Sequence, residues 1–283
     1  MRELTRKIYL RLIKLTIYRS GLKWLQLPYS RVEKLLYAHG TLSSKGLCLP
    51  DFLGIGAPRS GTSWLYMNLR CHPELYLPDQ KELHYFDRNF HKSLGFYSGK
   101  FKPGRQKVKG EITPAYGHLP VEIIRFIRTI MPDVKLVYLM RNPIDRAWSS
   151  ALKGLVRKAN RKFEDVDESE FYAHFRSEGN RKRCDHLTNL NNWLNIFPSE
   201  QLYIGFFEDI VNRPQELLNE IFAHIGVSRD VDWNSFPGDR VINKGPGVPM
   251  PQKYRDFLEE MYCQDIEALY ELFGDPIARW RCS

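Results

Sequence analysis

The segment that most constrains this chain is FLGIGAPRSGTSWL, which begins at Phe52. It has the pattern of a buried strand, a tight turn rich in Gly and Pro, and the start of a helix. Such a turn presents backbone N–H groups at the positive end of a helix dipole, where a phosphate or sulfate binds well. A nucleoside-triphosphate loop carries Lys after its second glycine. Here Gly61 is followed by Thr62, and the nearest cation is Arg59. We therefore predict an anion-binding loop that lacks the lysine of ATP chemistry.

The rest of the chain alternates apolar runs with helical patterns, which predicts an α/β fold. We expect a single domain with a central parallel sheet flanked by helices, whose ligand lies at the carboxyl ends of the strands. Strands are predicted at 52–57, 108–112, 135–140 and 201–207, and helices at 62–71, 120–131, 144–156, 185–197, 214–225 and 252–273. The segment 158–177 is predicted to be a mobile insertion, and 237–251, rich in Pro and Gly, to be irregular.

Residues 1–48 are predicted to form an N-terminal basic helical segment, and 49–283 the main domain. Near the N-terminus Lys and Arg punctuate an apolar helical stripe that includes Ile8, Leu12 and Leu15. This segment either packs on the domain or lies on an anionic membrane. No run of about 18 apolar residues occurs, so no transmembrane helix is predicted.

The net charge of +9 in 283 residues favours anionic partners such as nucleotides, sulfated or phosphorylated glycans and acidic membranes. No nucleic-acid-binding motif is present, so nucleic acid is not expected as a partner. The five cysteines are scattered and lack C-x-x-C spacing, which argues against a zinc site or a dense disulfide framework and leaves one bridge open. We predict a cytoplasmic protein, with contact to the inner face of a membrane as an alternative, and no metal.

Two further segments carry groups suited to the transfer of an anionic group. In KLVYLMRNPIDRAWSS a strand delivers Arg141 to a turn, and Ser149 follows about two helical turns later, which makes a compact phosphate clamp. By itself KELHYFD would be an ordinary polar loop, because its K-E-x-H pattern is common by chance; in a transfer site Glu82 could act as a general base, Lys81 could supply positive charge, and His84 could be a second base or a scaffold residue.

At these segments the chain resembles sulfotransferases that use 3′-phosphoadenosine 5′-phosphosulfate (PAPS). APRSGTSWL resembles their 5′-phosphosulfate loop, and the segment of Arg141 and Ser149 resembles their 3′-phosphate motif. RVINKGPG resembles a flexible loop that closes over PAPS, which implies that Lys244 and Gly245 contact the donor. The resemblance implies that the 5′-phosphosulfate is held by Arg59, Ser60, Gly61, Thr62, Ser63 and Trp64.

The heparan sulfate and carbohydrate branch of the family, with its bacterial relatives, gives the best match. KELHYFD resembles an E-x-H-F-F segment in which the glutamate is the catalytic base, which implies that role for Glu82. KGEITPAY resembles E-K-T-P-A-Y, but Ile112 stands in place of the lysine, so either Lys81 or Arg59 would take its duty. Glu111 and Thr113 are expected to contact acceptor hydroxyls, and Tyr116 to pack.

The resemblance implies a P-loop-like fold and transfer of a sulfuryl group from PAPS to a hydroxyl, or less readily an amine, of a carbohydrate or glycolipid, with PAP as product. His186 is expected to face the acceptor, and Arg146 to pack or form an ion pair. The alternatives are a P-loop-like nucleotide kinase and a non-catalytic protein that binds glycan or nucleotide. The sequence leaves the acceptor, the position sulfated and the oligomeric state open.

Overall fold

In a computed structural model, which describes residues 29–237 and 247–282, a parallel five-stranded sheet forms the centre of the protein. The strand order is β2-β3-β1-β4-β5, and each neighbouring pair is parallel. The strands are β1 (Phe52–Gly56), β2 (Leu75–Tyr76), β3 (Val108–Ile112), β4 (Lys135–Met140) and β5 (Leu202–Phe206). The predicted α/β class is confirmed, and the edge strand β2 was missed because two residues carry no detectable periodicity.

The middle strand, β1, is buried along its whole length. Its register sets Phe52 beside Gly110 of β3 and Lys135 of β4. The Phe52 ring covers Gly110 so closely that a Cβ there would lie 2.1 Å from the ring. An apolar strand without alternation is typical of a sheet covered on both faces, and here it brings the loop after Gly56 to the carboxyl edge.

Helices cover both faces of this sheet. One face is covered mainly by α1, α3 to α8 and α11, and the other by α2 and α10. The helices of the described residues are α1 (Tyr29–Ala38), α2 (Thr62–Leu69), α3 (Leu94–Gly99), α4 (Val121–Ile130), α5 (Pro143–Ala151), α6 (Glu168–Arg176), α7 (Glu178–Cys184), α8 (His186–Leu194), α9 (Asp209–Asn212), α10 (Pro214–Ile225) and α11 (Gln252–Phe273).

The predicted helix over 144–156 has two parts in the structure. Helix α5 starts at Pro143, where the Asn142 side chain accepts a hydrogen bond from the Ile144 N–H and caps the first turn. After Ala151 the helix widens into a π-helical turn, Leu152–Lys158. Such turns interrupt an α-helix and often occur at functional sites.

The prediction of a mobile insertion at 158–177 is wrong. Helix α6 occupies Glu168–Arg176 of it and buries Phe171 and Phe175 against the main core. The Phe171 ring stacks on Trp148 with centroids 5.5 Å apart. This helix is indicated by the helical spacing of the two phenylalanines and by the capping box that Asp167 and Glu170 form. It was not predicted because the charged residues of its exposed face obscure the apolar pattern.

Two features outside the sheet complete the described chain. Cys263 and Cys282 form a disulfide, the one bridge that the sequence left open, while Cys48, Cys71 and Cys184 are free thiols. In the described part of the chain, no helix combines the length and apolar character that crossing a membrane requires.

The predicted N-terminal segment 1–48 lies partly outside the described residues. Its described part includes α1, where Glu33 accepts a hydrogen bond from the backbone N–H of Leu94 at 3.1 Å. The basic stripe of the first 28 residues and its predicted membrane contact are not among the described residues. The division of the chain at residue 48 stays a prediction.

Candidate active site

The turn between β1 and α2 forms an anion nest. Arg59 and Gly61 both have left-handed backbone, with φ of 74° and 80°, and the intervening Ser60 is fully buried. Alternation of this kind points successive N–H groups into one concavity. Gly61, the residue before α2, has no side chain that could cap the helix. The first backbone N–H groups of α2 therefore have no hydrogen-bond acceptor from that residue. The loop therefore has the backbone conformation that is typical of phosphate- and sulfate-binding loops.

Arg59 links this loop to helix α5. Its Nε and Nη2 donate to Ser149 Oγ at 3.0 Å and 2.9 Å. Burial lowers the pKa of Arg59 to about 10, and the nearby cations Arg157 and Arg141 act in the same direction. From the sequence, Arg59 was predicted to bind the 5′-phosphosulfate of the donor and Ser149 its 3′-phosphate. In the structure these two residues are in direct contact.

Arg141 lies at the carboxyl end of β4, beside the loop. Its Nη1 donates to the carbonyl oxygen of Arg59 at 3.0 Å, and its guanidinium lies 4.3 Å from the centre of the Phe207 ring. Its buried Nε has no hydrogen-bond partner among the described residues. Burial lowers the pKa of Arg141. A bound anion would give this orphaned donor an acceptor.

His186 supports Arg141, so the expectation that it faces the acceptor is wrong. Its side chain is buried, with Nε2 2.9 Å from the Arg141 carbonyl oxygen and Nδ1 2.9 Å from the Tyr138 hydroxyl. Burial lowers the pKa of His186 to about 4, so the ring is neutral near pH 7. In that state Nε2–H donates to the carbonyl and Nδ1 accepts from Tyr138. His186 is the first residue of helix α8, and its side chain is buried in the core.

Lys81 and Glu82 occupy the other side of the cleft. Lys81 Nζ donates to Ser63 Oγ at 3.3 Å and lies 3.9 Å from a Glu82 carboxylate oxygen. Burial lowers the pKa of Lys81 to about 8, although Glu82 opposes that change. The Glu82 side chain keeps 31% of its surface exposed, which leaves it accessible to an acceptor.

His84 connects Glu82 to Asp87. Its Nε2 lies 3.0 Å from Glu82 Oε2, and its Nδ1 lies 2.8 Å from Asp87 Oδ2. With a carboxylate at each ring nitrogen, His84 is oriented from both sides. This arrangement favours the scaffold role over the second base.

Glu111 and Thr113 do not face an acceptor, contrary to expectation. Glu111 is buried and accepts hydrogen bonds from the hydroxyls of Tyr97 at 2.5 Å, Thr113 at 2.8 Å and Tyr116 at 3.0 Å. Tyr116 also accepts from the backbone N–H of Tyr85 at 2.8 Å. Burial raises the pKa of Glu111 to about 7. This cluster anchors the segment that carries Glu82, and Tyr116 packs as predicted.

These groups meet in a cleft of about 350 Å³ at the carboxyl edge of the sheet. Ser60 and His84 do not line it, and Lys244 and Gly245 lie outside the described residues. Pro114, Trp148, Lys153, Phe207 and Val248 also line the cleft and were not predicted; Pro114 and Trp148 fall within motifs of which other residues were singled out, and Val248 within the segment predicted to be irregular. The predicted residues that line it are Arg59, Gly61, Thr62, Ser63, Trp64, Lys81, Glu82, Arg141 and Ser149.

Two other positions carry no chemistry of their own. Arg146 is fully buried; its Nε donates to Cys184 Sγ at 2.9 Å and its Nη2 to the Asn180 side chain, so it packs as expected. Ile112 belongs to the apolar cluster on the α2 face rather than to the cleft. Over residues 29–237 and 247–282, no grouping of His, Cys, Asp and Glu is suited to hold a metal ion.

Comparison with protein families matches residues 49–235 to the Sulfotransferase domain. Among characterised proteins, the membrane-associated sulfotransferase kil1 of Dictyostelium discoideum is 25% identical over 320 aligned residues, covering 82% of this chain and 67% of that protein. Heparan sulfate glucosamine 3-O-sulfotransferase 6 of Mus musculus is 26% identical over 245 residues, covering 80% of this chain and 70% of that protein.

Solved structures share the same fold. A sulfotransferase from Alicyclobacillus acidocaldarius superposes with a TM-score of 0.66 at 24% identity, covering 82% of this chain and 99% of that one. The mouse sulfotransferase SULT7A1, complexed with PAP, gives a TM-score of 0.51 at 16% identity, covering 86% of this chain and 92% of that one. At these identities the likeness concerns the fold alone.

Proposed function

The chain belongs to the sulfotransferase family, as the sequence resemblance predicted, and we propose that it moves the sulfuryl group of PAPS to a hydroxyl of a carbohydrate acceptor. The observation that carries this proposal is the direct contact between Arg59 of the anion nest and Ser149 of the phosphate clamp. In this proposal the loop and the clamp would hold the two anionic ends of one bisphosphorylated nucleotide, and the contact between them supports a shared cleft. A relative complexed with PAP supports the choice of nucleotide.

The donor is proposed to span the loop and the clamp. The nest from Arg59 to Trp64 would hold the 5′-phosphosulfate, while Arg141 and Ser149 would hold the 3′-phosphate. The residues fit this ligand because the buried Nε of Arg141 lacks a partner among the described atoms and α2 lacks a side-chain cap at Gly61. Arginine suits a phosphate better than lysine because its donors form a planar fork.

Glu82 is proposed to take the proton from the acceptor hydroxyl. Bound PAPS supplies a sulfuryl group whose sulfur bonds to the acceptor oxygen while its bond to the 5′-phosphate oxygen breaks, and the electron pair leaves with PAP. Lys81, held by Ser63 beside the nest, would stabilise the charge that develops on that phosphate oxygen. His84 and Asp87 would hold Glu82 in the orientation that meets the hydroxyl.

A carbohydrate is the acceptor that the relatives favour, because they include heparan sulfate and other carbohydrate sulfotransferases. A glycolipid stays a second form of the same acceptor class, and a membrane-associated relative is compatible with it. The cytoplasmic location stays a prediction. The Cys263–Cys282 pairing weighs against it, since disulfides persist mainly in oxidising compartments.

Calorimetric titration with PAP, in parallel with ATP plus magnesium, tests the donor. We expect PAP to bind much more tightly than ATP, because Arg141 and Ser149 select a 3′-phosphate. Exchange of Arg141 for Met should remove the preference for PAP over adenosine 5′-phosphate while leaving 5′-phosphate binding in place. A preference for ATP, or binding of neither nucleotide, would refute the proposed donor.

The acceptor is tested next by incubating the protein with ³⁵S-labelled PAPS and desulfated heparan, chondroitin or glycolipid acceptors. Label transferred to one of these glycans, and lost in the Glu82→Gln variant, is the expected result. PAP binding without transfer to any glycan would contradict the carbohydrate acceptor and leave the donor assignment standing.

A further inference from the structure

Lys153 lies in the cleft at a position that neither the predicted motifs nor the proposed roles use. It falls one helical turn after Ser149, inside the π-helical turn Leu152–Lys158 that continues α5. It lines the cleft together with Arg59, Lys81 and Glu82. The widened turn therefore places a cation in the same cleft as Lys81 and Glu82.

The charges that act on Lys153 include those of the nest and of the base. The pKa of Lys153 is lowered by burial first, and next by the positive charge of Arg59, whereas the carboxylate of Glu82 opposes that change. Lys153 in turn lowers the pKa of Lys81. Lys153 therefore interacts with charges of the nest and of the base, and also with Lys158 and Arg157 of its own turn.

No carboxylate forms an ion pair with Lys153 in the described chain. By contrast, Lys109 pairs with Asp51 and Lys253 with Glu168. A half-buried ammonium close to other cations is costly unless an anion joins it. The cleft around Lys153 therefore has room and charge for an anionic group.

We propose that Lys153 is a catalytic residue that contacts the sulfuryl oxygens of bound PAPS and stabilises them during transfer. This assignment rests on the proposed function. It also supplies a cation for the site, because Ile112 stands where the family has a lysine and is buried in the apolar cluster. The Ile112 side chain packs closely over Gly54: a Cβ on Gly54 would lie 2.8 Å from Ile112 Cγ1. Lys81 and Lys153 then both act on the transferring group from within one cleft.

The bonds exchanged are those of the proposed transfer. The acceptor oxygen bonds to sulfur, the bond from sulfur to the 5′-phosphate oxygen breaks with its electron pair on that oxygen, and the acceptor proton goes to Glu82. Lys153 keeps its own protons and contributes positive charge only. Its substitution should therefore lower the rate of transfer more than the affinity for PAP.

Amine labelling of the full chain tests contact with the donor. Trace acetylation is followed by mass spectrometry at Lys153 and at Lys158, an exposed lysine of the same turn, with no nucleotide, with PAP and with PAPS. Labelling of Lys153 should fall with the occupied fraction, and further with PAPS than with PAP, because only PAPS carries the sulfuryl group. Labelling of Lys158 should not change.

Kinetics of Lys153→Met, Lys153→Arg and the control Lys158→Met form the second measurement. We expect kcat for transfer from PAPS to fall about 100-fold in Lys153→Met, with PAP affinity retained, partial recovery in Lys153→Arg, and no loss in Lys158→Met.

Two outcomes separate this assignment from the proposed function. If the wild-type protein binds neither PAP nor PAPS, the proposed function fails and the role of Lys153 falls with it. If both nucleotides bind while Lys153 stays equally reactive towards the reagent, or if Lys153→Met transfers label at the wild-type rate, only the assignment of Lys153 is overturned.

Discussion

Cations outnumber carboxylates among the side chains that line the cleft. Arg59, Arg141, Lys81 and Lys153 meet there, and Glu82 is the one carboxylate among the described residues that line it. Such an excess of charge is unfavourable in the empty protein and becomes favourable when a polyanion enters. A single carboxylate does not neutralise these cations, which is consistent with the role of base that we propose for Glu82.

Exchange of Glu82 for Gln tests the base directly. The amide keeps the shape of the side chain but cannot accept a proton, so kcat should fall about 100-fold or more. PAP affinity should stay unchanged, because no donor contact is removed. Initial rates with labelled PAPS and calorimetry with PAP provide the two measurements.

The matched control is Glu122→Gln, which removes an exposed carboxylate from the first turn of α4. It should leave both rate and affinity unchanged. Turnover of Glu82→Gln at the wild-type rate would remove Glu82 from the role of base.

At the scale of elements, the nest depends on the absence of a side chain at Gly61. The backbone φ there is 80°, and a Cβ would lie 2.0 Å from Ile210 Cδ1 at the start of α9. Gly226 offers a matched comparison, since it caps α10 with a φ of 81° and nothing within 4 Å of a Cβ. The two glycines share the conformational requirement and differ in the space around them.

We expect Gly226→Ala to lower the free energy of unfolding by about 1 kcal/mol from left-handed strain alone. Gly61→Ala should lower it by about 3 kcal/mol, because overpacking against Ile210 adds to the strain. Urea denaturation of both variants gives the comparison. Equal losses would mean that Ile210 moves aside without cost, and that the loop is not held by this contact.

The Glu111 cluster gives a prediction on pH. Burial raises the pKa of the Glu111 carboxyl to about 7 in the folded state, above the ordinary value of 4.5. The folded protein therefore binds the proton more tightly, so the favourable contribution is fully present below about pH 4.5 and is lost as the pH rises through 7. The size of this loss is about 3 kcal/mol.

Glu111→Gln mimics the protonated carboxyl at every pH. The free energy of unfolding of the wild type, measured relative to that of the variant, should fall by about 3 kcal/mol between pH 4.5 and pH 8. Urea denaturation at several pH values measures this difference, in which the titration of His186 and other shared groups cancels. Parallel pH profiles for the two proteins would contradict a raised pKa at Glu111.

Periodicity and local chemistry were enough to predict most of the sheet and the residues of the nest and the clamp. Strands β3 and β4 and helices α10 and α11 agree with their predicted bounds, and the residues of the nest and the clamp, apart from Ser60, line one cleft. The role of Glu111 was missed because it depends on Tyr97, a residue distant in sequence that reaches it only when α3 packs under the sheet. Lys153 was missed because a π-helical turn redirects it, and hydrophobic patterning carries no signal for such a turn.

At the scale of the whole molecule, the C-terminal segment reinforces the edge of the sheet beside the cleft. After α11 the chain turns back, and the Trp280 indole N–H donates to Glu208 Oε1 at 2.7 Å. The Trp280 ring also lies 6.1 Å from Phe206 at the end of β5, next to the Phe207 that contacts Arg141. The Cys263–Cys282 bridge closes this return.

The bridge joins residues 19 positions apart, and a loop of this length restricts the unfolded chain enough to stabilise the folded protein by about 3 kcal/mol. A reductant should therefore lower the midpoint of urea denaturation of the wild type, while the Cys263→Ser/Cys282→Ser variant should start lower and not respond. Cys71→Ser, which removes a free thiol, should respond as the wild type does.

PAP affinity should persist in the reduced wild type and in these variants, because Trp280 keeps its own hydrogen bond to Glu208 and holds the edge of the cleft. A wild type whose denaturation ignores the reductant would show that the bridge does not stabilise the fold, and loss of PAP binding on reduction would show that it holds the cleft directly.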